Sequence, residues 1–193
     1  MRAFGFKAGI GTSSRVLAAA DGGYAVGVLV QANMHGGPEG ARLLRIAGVP
    51  VGQELAREAK SDRRPDGSIL VLIATDAPLL PHQLKRLARR ATLGLARTGS
   101  AGHGDSGDIF IAFSTANPGA DQETGTVPLT MLPNERIDPL FDAVIGATEE
   151  AIINSLVAAR EMRGSGGRVK PGLPLDKVRE ILRRYNRLQE PGR

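Results

Sequence analysis

Ser68–Thr75 reads SILVLIAT, eight residues apolar almost without a break. A run of that length is a strand, and its lack of alternation fits a strand covered on both faces. Ala77–Pro81 punctuates the chain after it. His82–Arg97 then spaces Leu84, Leu87, Ala88, Ala91 and Leu95 along one helical face. Lys85, Arg86, Arg89 and Arg90 take the other, as an amphipathic surface helix requires. After the glycine-rich loop Gly99–Gly107, Asp108–Thr115 (DIFIAFST) reads as a second buried strand.

Upstream, Ser13–Ala19 and Tyr24–Ala32 are rich in small and β-branched residues. The Ala20–Gly23 turn cluster between them predicts a β-hairpin. A loop at Met34–Gly40, a short helix at Gln53–Lys60 and a polar connector at Ser61–Gly67 follow. Downstream lie a long polar loop (Ala116–Ile137), a helix (Asp138–Glu161), a glycine-rich break (Gly164–Gly172) and a last helix (Leu175–Leu188). The class is α/β, with residues 1–193 as a single domain.

Composition removes several kinds of chemistry. Cysteine is absent, so disulfide scaffolds, thiolate zinc sites and cysteine nucleophiles are excluded. Three histidines without HExxH spacing give no reason to expect a metal, and no cofactor motif stands out. No run of about 18 apolar residues exists, so a spanning helix is not expected. The first residues lack the apolar core of a secretory signal, and a cytoplasmic protein is expected. The net charge of +5 raises the question of nucleic acid. Aromatics at 4% and basic residues gathered on helix faces argue against it as a partner.

Three short patterns invite chemistry. Gly9-Ile10-Gly11-Thr12-Ser13-Ser14 resembles a dinucleotide loop, but the third glycine and a full upstream strand are missing. Its glycines fit a hairpin or bulge better. Gly104-Asp105-Ser106-Gly107 matches the serine loop of trypsin-like proteases over four residues, in a chain too helical for two β-barrels. Asp66-Gly67-Ser68 has two readings. It is either a turn feeding a strand or a junction at which the Ser68 hydroxyl attacks the preceding carbonyl. A serine freed in that way would carry a nucleophile and an α-amine base on one residue.

The stretches GIGTSSRV, YAVGVLVQAN, DGSILVLIATDAPLLPHQLKRLARRA, SGDIFIAFSTAN and DPLFDAVIGATEEAIINSL cover most of the chain. Together they resemble the L-aminopeptidase/D-esterase family, autoprocessed N-terminal-serine hydrolases that include β-peptidyl aminopeptidases. The resemblance implies an αββα four-layer sandwich like that of N-terminal-nucleophile hydrolases, of which this chain would form part. It implies cleavage between Gly67 and Ser68, giving 1–67 and 68–193, with Ser68 as nucleophile. It gives Ser106 and Asp108 the handling of protons; some members carry Glu where this chain has Asp108. Asn33 would hold the oxyanion through its amide N–H₂, a suitable donor to a developing negative oxygen. The implied substrates are short peptides, amides or esters, and no cofactor is implied. Family members are longer, so the chain resembles their C-terminal portion. A missing N-terminal half would supply a further tyrosine, a role that neither Tyr24 nor Tyr185 fills. A homo-oligomer, or a partner half, is therefore expected. The competing reading is an inactive truncated remnant that serves only in assembly.

Overall fold

The computed structural model describes residues 1–55, 67–104 and 106–188. Two short strands, β1 (Arg2–Ala3) and β2 (Phe6–Lys7), pair with each other. The main sheet holds β3 (Ile10–Val16), β4 (Ala25–Asn33), β5 (Ser68–Thr75) and β6 (Ile109–Ser114), in that order. β3, β4 and β5 run antiparallel, and β6 joins β5 in parallel. Between β4 and β5 lie two short helices, α1 (Gly37–Leu43) and α2 (Val51–Leu55). The crossover from β5 to β6 is α3 (Pro81–Arg97), as a parallel pair requires. α4 (Asp138–Val157), a small hairpin of β7 (Met162–Arg163) and β8 (Val169–Lys170), and α5 (Leu175–Arg184) complete the order.

The core lies between the sheet and α3 and α4. Val26, Val28, Val30 and Ala32 of β4 and Ile69, Val71 and Ile73 of β5 point into it and are buried. Leu87 and Ala91 of α3, and Leu140, Val144, Ala151, Ile152 and Leu156 of α4, meet them. α4 has eleven buried residues spread around its circumference, because it is gripped by both the sheet and α3. Arg86 and Arg90 of α3 stack over the Phe141 ring, with Arg90 4.1 Å from its centre.

The expected hairpin, α/β class and three long helices are present. Several boundaries differ. The first hairpin strand starts at Ile10 rather than Ser13 and stops at Val16. Gly37–Leu43 is helical where a loop was expected to run to Gly40. The predicted 53–60 helix begins at Val51, and residues 56–66, including most of the connector, lie outside the described residues. α4 ends at Val157, ahead of the turn into β7. α5 ends at Arg184 because Asn186 adopts φ +54°, letting the Arg187 N–H close onto the Leu182 carbonyl at 2.9 Å.

One expectation is overturned. Neither apolar run is covered on both faces. β5 alternates buried and half-buried residues. On β6, Ile109, Ile111 and Phe113 are exposed. Both helices lie on the same side of the sheet, so its other face has no layer above it among the described residues. The helix layer and the sheet are two layers of the expected sandwich.

Glycine 11 also departs from expectation. It sits inside β3, not in a turn or bulge, and a Cβ there would overlap the Ala151 carbonyl of α4. Its missing side chain lets helix and strand approach closely.

Candidate active site

Ser68 is the first residue of β5 and pairs with Asn33, the last residue of β4. Strand alternation puts both side chains on the face away from the helices. Gly67 precedes Ser68 with φ +125°, and a Cβ there would overlap the Asn33 carbonyl. Only glycine fits that approach without strain.

The loop before β6 reaches across to Ser68. The Gly107 N–H donates to Ser68 Oγ at 3.0 Å. Ser106 Oγ lies 2.6 Å from Asp108 Oδ1 and 3.4 Å from the Gly67 carbonyl. A hydroxyl has one proton, and the short bond to the carboxylate takes it. Asp108 Oδ1 also accepts the Ile69 N–H at 3.0 Å. The carboxylate is thereby tied to the residue after Ser68, and the Ser106 hydroxyl is held beside the Gly67–Ser68 peptide. Asn33 Oδ1 accepts the Arg2 N–H at 3.3 Å, which fixes the amide and leaves Nδ2 to donate.

The structure therefore brings all five sequence-predicted residues, Asn33, Gly67, Ser68, Ser106 and Asp108, to one end of the sheet. Tyr24 precedes β4, at the opposite end from Asn33, and Tyr185 bonds Glu54 at 3.1 Å. Asp105, within the Gly-Asp-Ser-Gly pattern, lies outside the described residues.

Two features of the site are not singled out by the sequence. One is the Gly107 N–H; a Cβ on Gly107 would sit 3.2 Å from Ser68 Oγ, so glycine permits the approach. The other is His35, behind Gly67, at φ +49°. Its Nε2 lies 2.8 Å from Ser100 Oγ, its ring stacks obliquely on Phe4 at 5.2 Å, and its buried Nδ1 has no partner. Burial holds the imidazole pKa below its ordinary 6.5; the His103 charge adds to this and Asp108 opposes it.

A nucleophile candidate, a carboxylate-linked hydroxyl and an amide donor on the end of such a sheet invite comparison with known hydrolases. The family model described as Peptidase family S58 matches residues 1–170. The chain belongs to peptidase family S58. Within that family's relatives, it is 47% identical to the beta-peptidyl aminopeptidase BapA of Sphingosinicella microcystinivorans, over 97% of this chain and 50% of that protein. It is 42% identical to BapA of Sphingosinicella xenopeptidilytica, over 95% and 48%. Among solved structures, the L-aminopeptidase D-Ala-esterase/amidase of Ochrobactrum anthropi superposes with TM-score 0.84 at 42% identity. The superposition covers 98% of this chain and 51% of that one. That enzyme is a prototype of the serine aminopeptidases and a variant of the Ntn hydrolase fold. The S58 chain described here spans about half the length of the curated relatives it matches.

Proposed function

We propose that this chain is the nucleophile-bearing half of a serine aminopeptidase that hydrolyses short peptides, amides or esters. The observation that carries the reading is the contact set around Ser68 Oγ: a backbone N–H at 3.0 Å, the Ser106–Asp108 pair beside its peptide bond, and Asn33 opposite in register. Family membership and 42–47% identity to aminopeptidases support the reaction type, β-peptides included.

The first event is processing. Ser68 Oγ attacks the Gly67 carbonyl carbon, a C–O bond forms, the C–N bond breaks, and the nitrogen takes the hydroxyl proton. Water then hydrolyses the ester, leaving a Gly67 carboxylate and Ser68 with a free α-amine. In turnover that amine takes the Oγ proton as Oγ attacks the substrate carbonyl. Asn33 Nδ2 donates to the oxygen that becomes negative. The Ser106 hydroxyl, polarised by Asp108, receives a hydrogen bond from the Ser68 ammonium and stabilises it. The amine proton passes to the leaving group, and water releases the acid from Ser68.

Intact-mass measurement with N-terminal sequencing tests this reading. Division at Gly67 predicts fragments of roughly 7 and roughly 13 kDa from the 20.3 kDa chain, the larger beginning with Ser68. Ser68→Ala should leave one species. A split that persists in the alanine variant would assign cleavage to another protease and remove the nucleophile from the proposal.

A further inference from the structure

The loop that carries Ser106 and Gly107 leaves α3 at Thr98 and holds glycine at 99, 102, 104 and 107. Glycine has the widest choice of backbone conformation, so a stretch this rich in it is costly to hold in one shape. Three contacts tie its start to the segment after β4. The Arg45 N–H donates to the Thr98 carbonyl at 2.9 Å. Gly99, at φ +105°, lies against the Leu43 carbonyl. His35 Nε2 meets Ser100 Oγ at 2.8 Å. Residues 101–104 are exposed, so Ser100 is the last half-buried position described before Ser106.

His35 is built as a fixed point. It stands two residues after Asn33, in the left-handed region. Its carbonyl accepts the Gly5 N–H at 2.9 Å, and a Cβ on Gly40 would overlap that carbonyl. Its buried ring rests on Phe4, which is fully buried. Burial favours the neutral imidazole, which has one N–H and one acceptor nitrogen. Nδ1 has no partner among the described residues, so the ring's polar tie is the one to Ser100. An apolar ring would pack on Phe4 without leaving a buried polar atom unpaired; the Ser100 bond is what the imidazole adds. His35, Gly67, Ser100, Ser106 and Asp108 line one crevice of about 10 Å³, too small for a substrate.

We propose that His35 is a positioning residue for the candidate site: by holding Ser100 it fixes the loop against the end of β4, and so sets the Gly107 N–H and the Ser106 hydroxyl at the Gly67–Ser68 peptide. A strained backbone such as that of His35 persists where its surroundings fix it, and such strain gathers at functional sites. One segment thus orders both sides of the nucleophile, Asn33 by strand pairing and Ser106 by way of Ser100. The catalytic consequence rests on the hydrolase reading above, but the tether is measurable without cleavage.

The experiment compares the unsubstituted chain with Ser100→Ala, His35→Asn, their double variant and His35→Gln. Asn tolerates the left-handed backbone, but its amide ends one bond short of Nε2. Gln reaches further and offers Ser100 either a donor or an acceptor. Backbone NMR relaxation reads the loop. The Ser106 and Gly107 amides should have order parameters near the rigid value of about 0.85 in the unsubstituted chain. In Ser100→Ala and His35→Asn they should fall toward about 0.6, with those of β5 unchanged. Cleavage at Gly67, followed by intact mass, should slow about 10- to 100-fold in both, the effect of misplacing reacting groups. The double variant should lose no more than either single one, because both remove the same bond. His35→Gln should restore both readouts. Unchanged order parameters in Ser100→Ala, losses that add in the double variant, or a His35→Gln chain as loose as His35→Asn overturns the tether. A loosened loop with cleavage at the ordinary rate overturns the positioning role. An unsubstituted chain that never divides counts against the hydrolase reading, and relaxation alone then decides the tether.

Discussion

Asp108 holds two donors on one oxygen, the Ser106 hydroxyl at 2.6 Å and the Ile69 N–H at 3.0 Å. Asp108→Asn keeps an oxygen able to accept both but removes the charge. It should therefore leave the fold intact and lower aminopeptidase turnover by about 10²–10⁴-fold, the range for a positioned acid or base. Ser106→Ala should cost a similar factor, and the double variant little more, since both residues act on one proton. Steady-state kinetics on folded, processed protein check this, and near-normal turnover in either single variant removes that residue from the mechanism. Gly67→Ala meets both a positive φ and the Asn33 carbonyl. It should block processing and lower stability, by about 1–3 kcal/mol for the strained backbone alone. Mass analysis and thermal unfolding read the two effects separately. His35 gives a pH dependence of stability. Its folded pKa lies below the unfolded value near 6.5, so the unfolded state binds more protons at mildly acidic pH. The stabilisation is complete above about pH 6.5 and is lost as pH falls through the lowered folded value. Denaturant titrations at pH 8 and pH 5 should show this loss. His35→Asn tolerates the left-handed backbone and does not titrate, so it should flatten the difference.

At the scale of elements, two glycines in neighbouring strands make opposite predictions. Gly11→Ala drives a Cβ into the Ala151 carbonyl of α4 and should cost about 1–3 kcal/mol or more, because a backbone atom cannot swing aside. Gly27→Ala, on the outer face of β4, meets nothing within 4 Å and should be neutral or slightly stabilising. Equal unfolding midpoints for the two variants would contradict the close strand–helix packing. The sequence shows the long elements well, since α3 carries a clean amphipathic period and the β5 run has strand length. It misses α1 because a glycine- and proline-rich start reads as loop, whereas α2 packs closely against α1 in the fold, Gly52 lying against the Ala41 carbonyl. It also overstates burial. A continuous apolar run shows that a strand is built to be covered, not that a cover lies within the same chain.

For the whole molecule, the sheet has helices on one face only among the described residues. Its other face presents Ile10, Leu29, Ile109, Ile111 and Phe113, each more than a third exposed. Exposed apolar area on that scale marks an interaction surface or an aggregation risk. The isolated chain should therefore self-associate or require a second chain, and light scattering should report more than one copy per particle. Ile111→Lys should shift that distribution toward monomer without lowering cooperativity of unfolding. A monodisperse unsubstituted monomer would show instead that the chain tolerates its open face. The sequence by itself determined the α/β class and the helix–strand order around residues 68–115, and through long motif resemblance it singled out Asn33, Gly67, Ser68, Ser106 and Asp108 as candidates. Local periodicity and residue chemistry carry that much, because each is set within a few neighbours. Tertiary structure alone decided that Asn33 and Ser68, 35 residues apart, meet in register, that the Gly107 N–H reaches Ser68 Oγ, and that Asp108 accepts the Ile69 N–H. Those relations depend on strand pairing and loop closure between distant segments, for which no local pattern in the chain carries a signal.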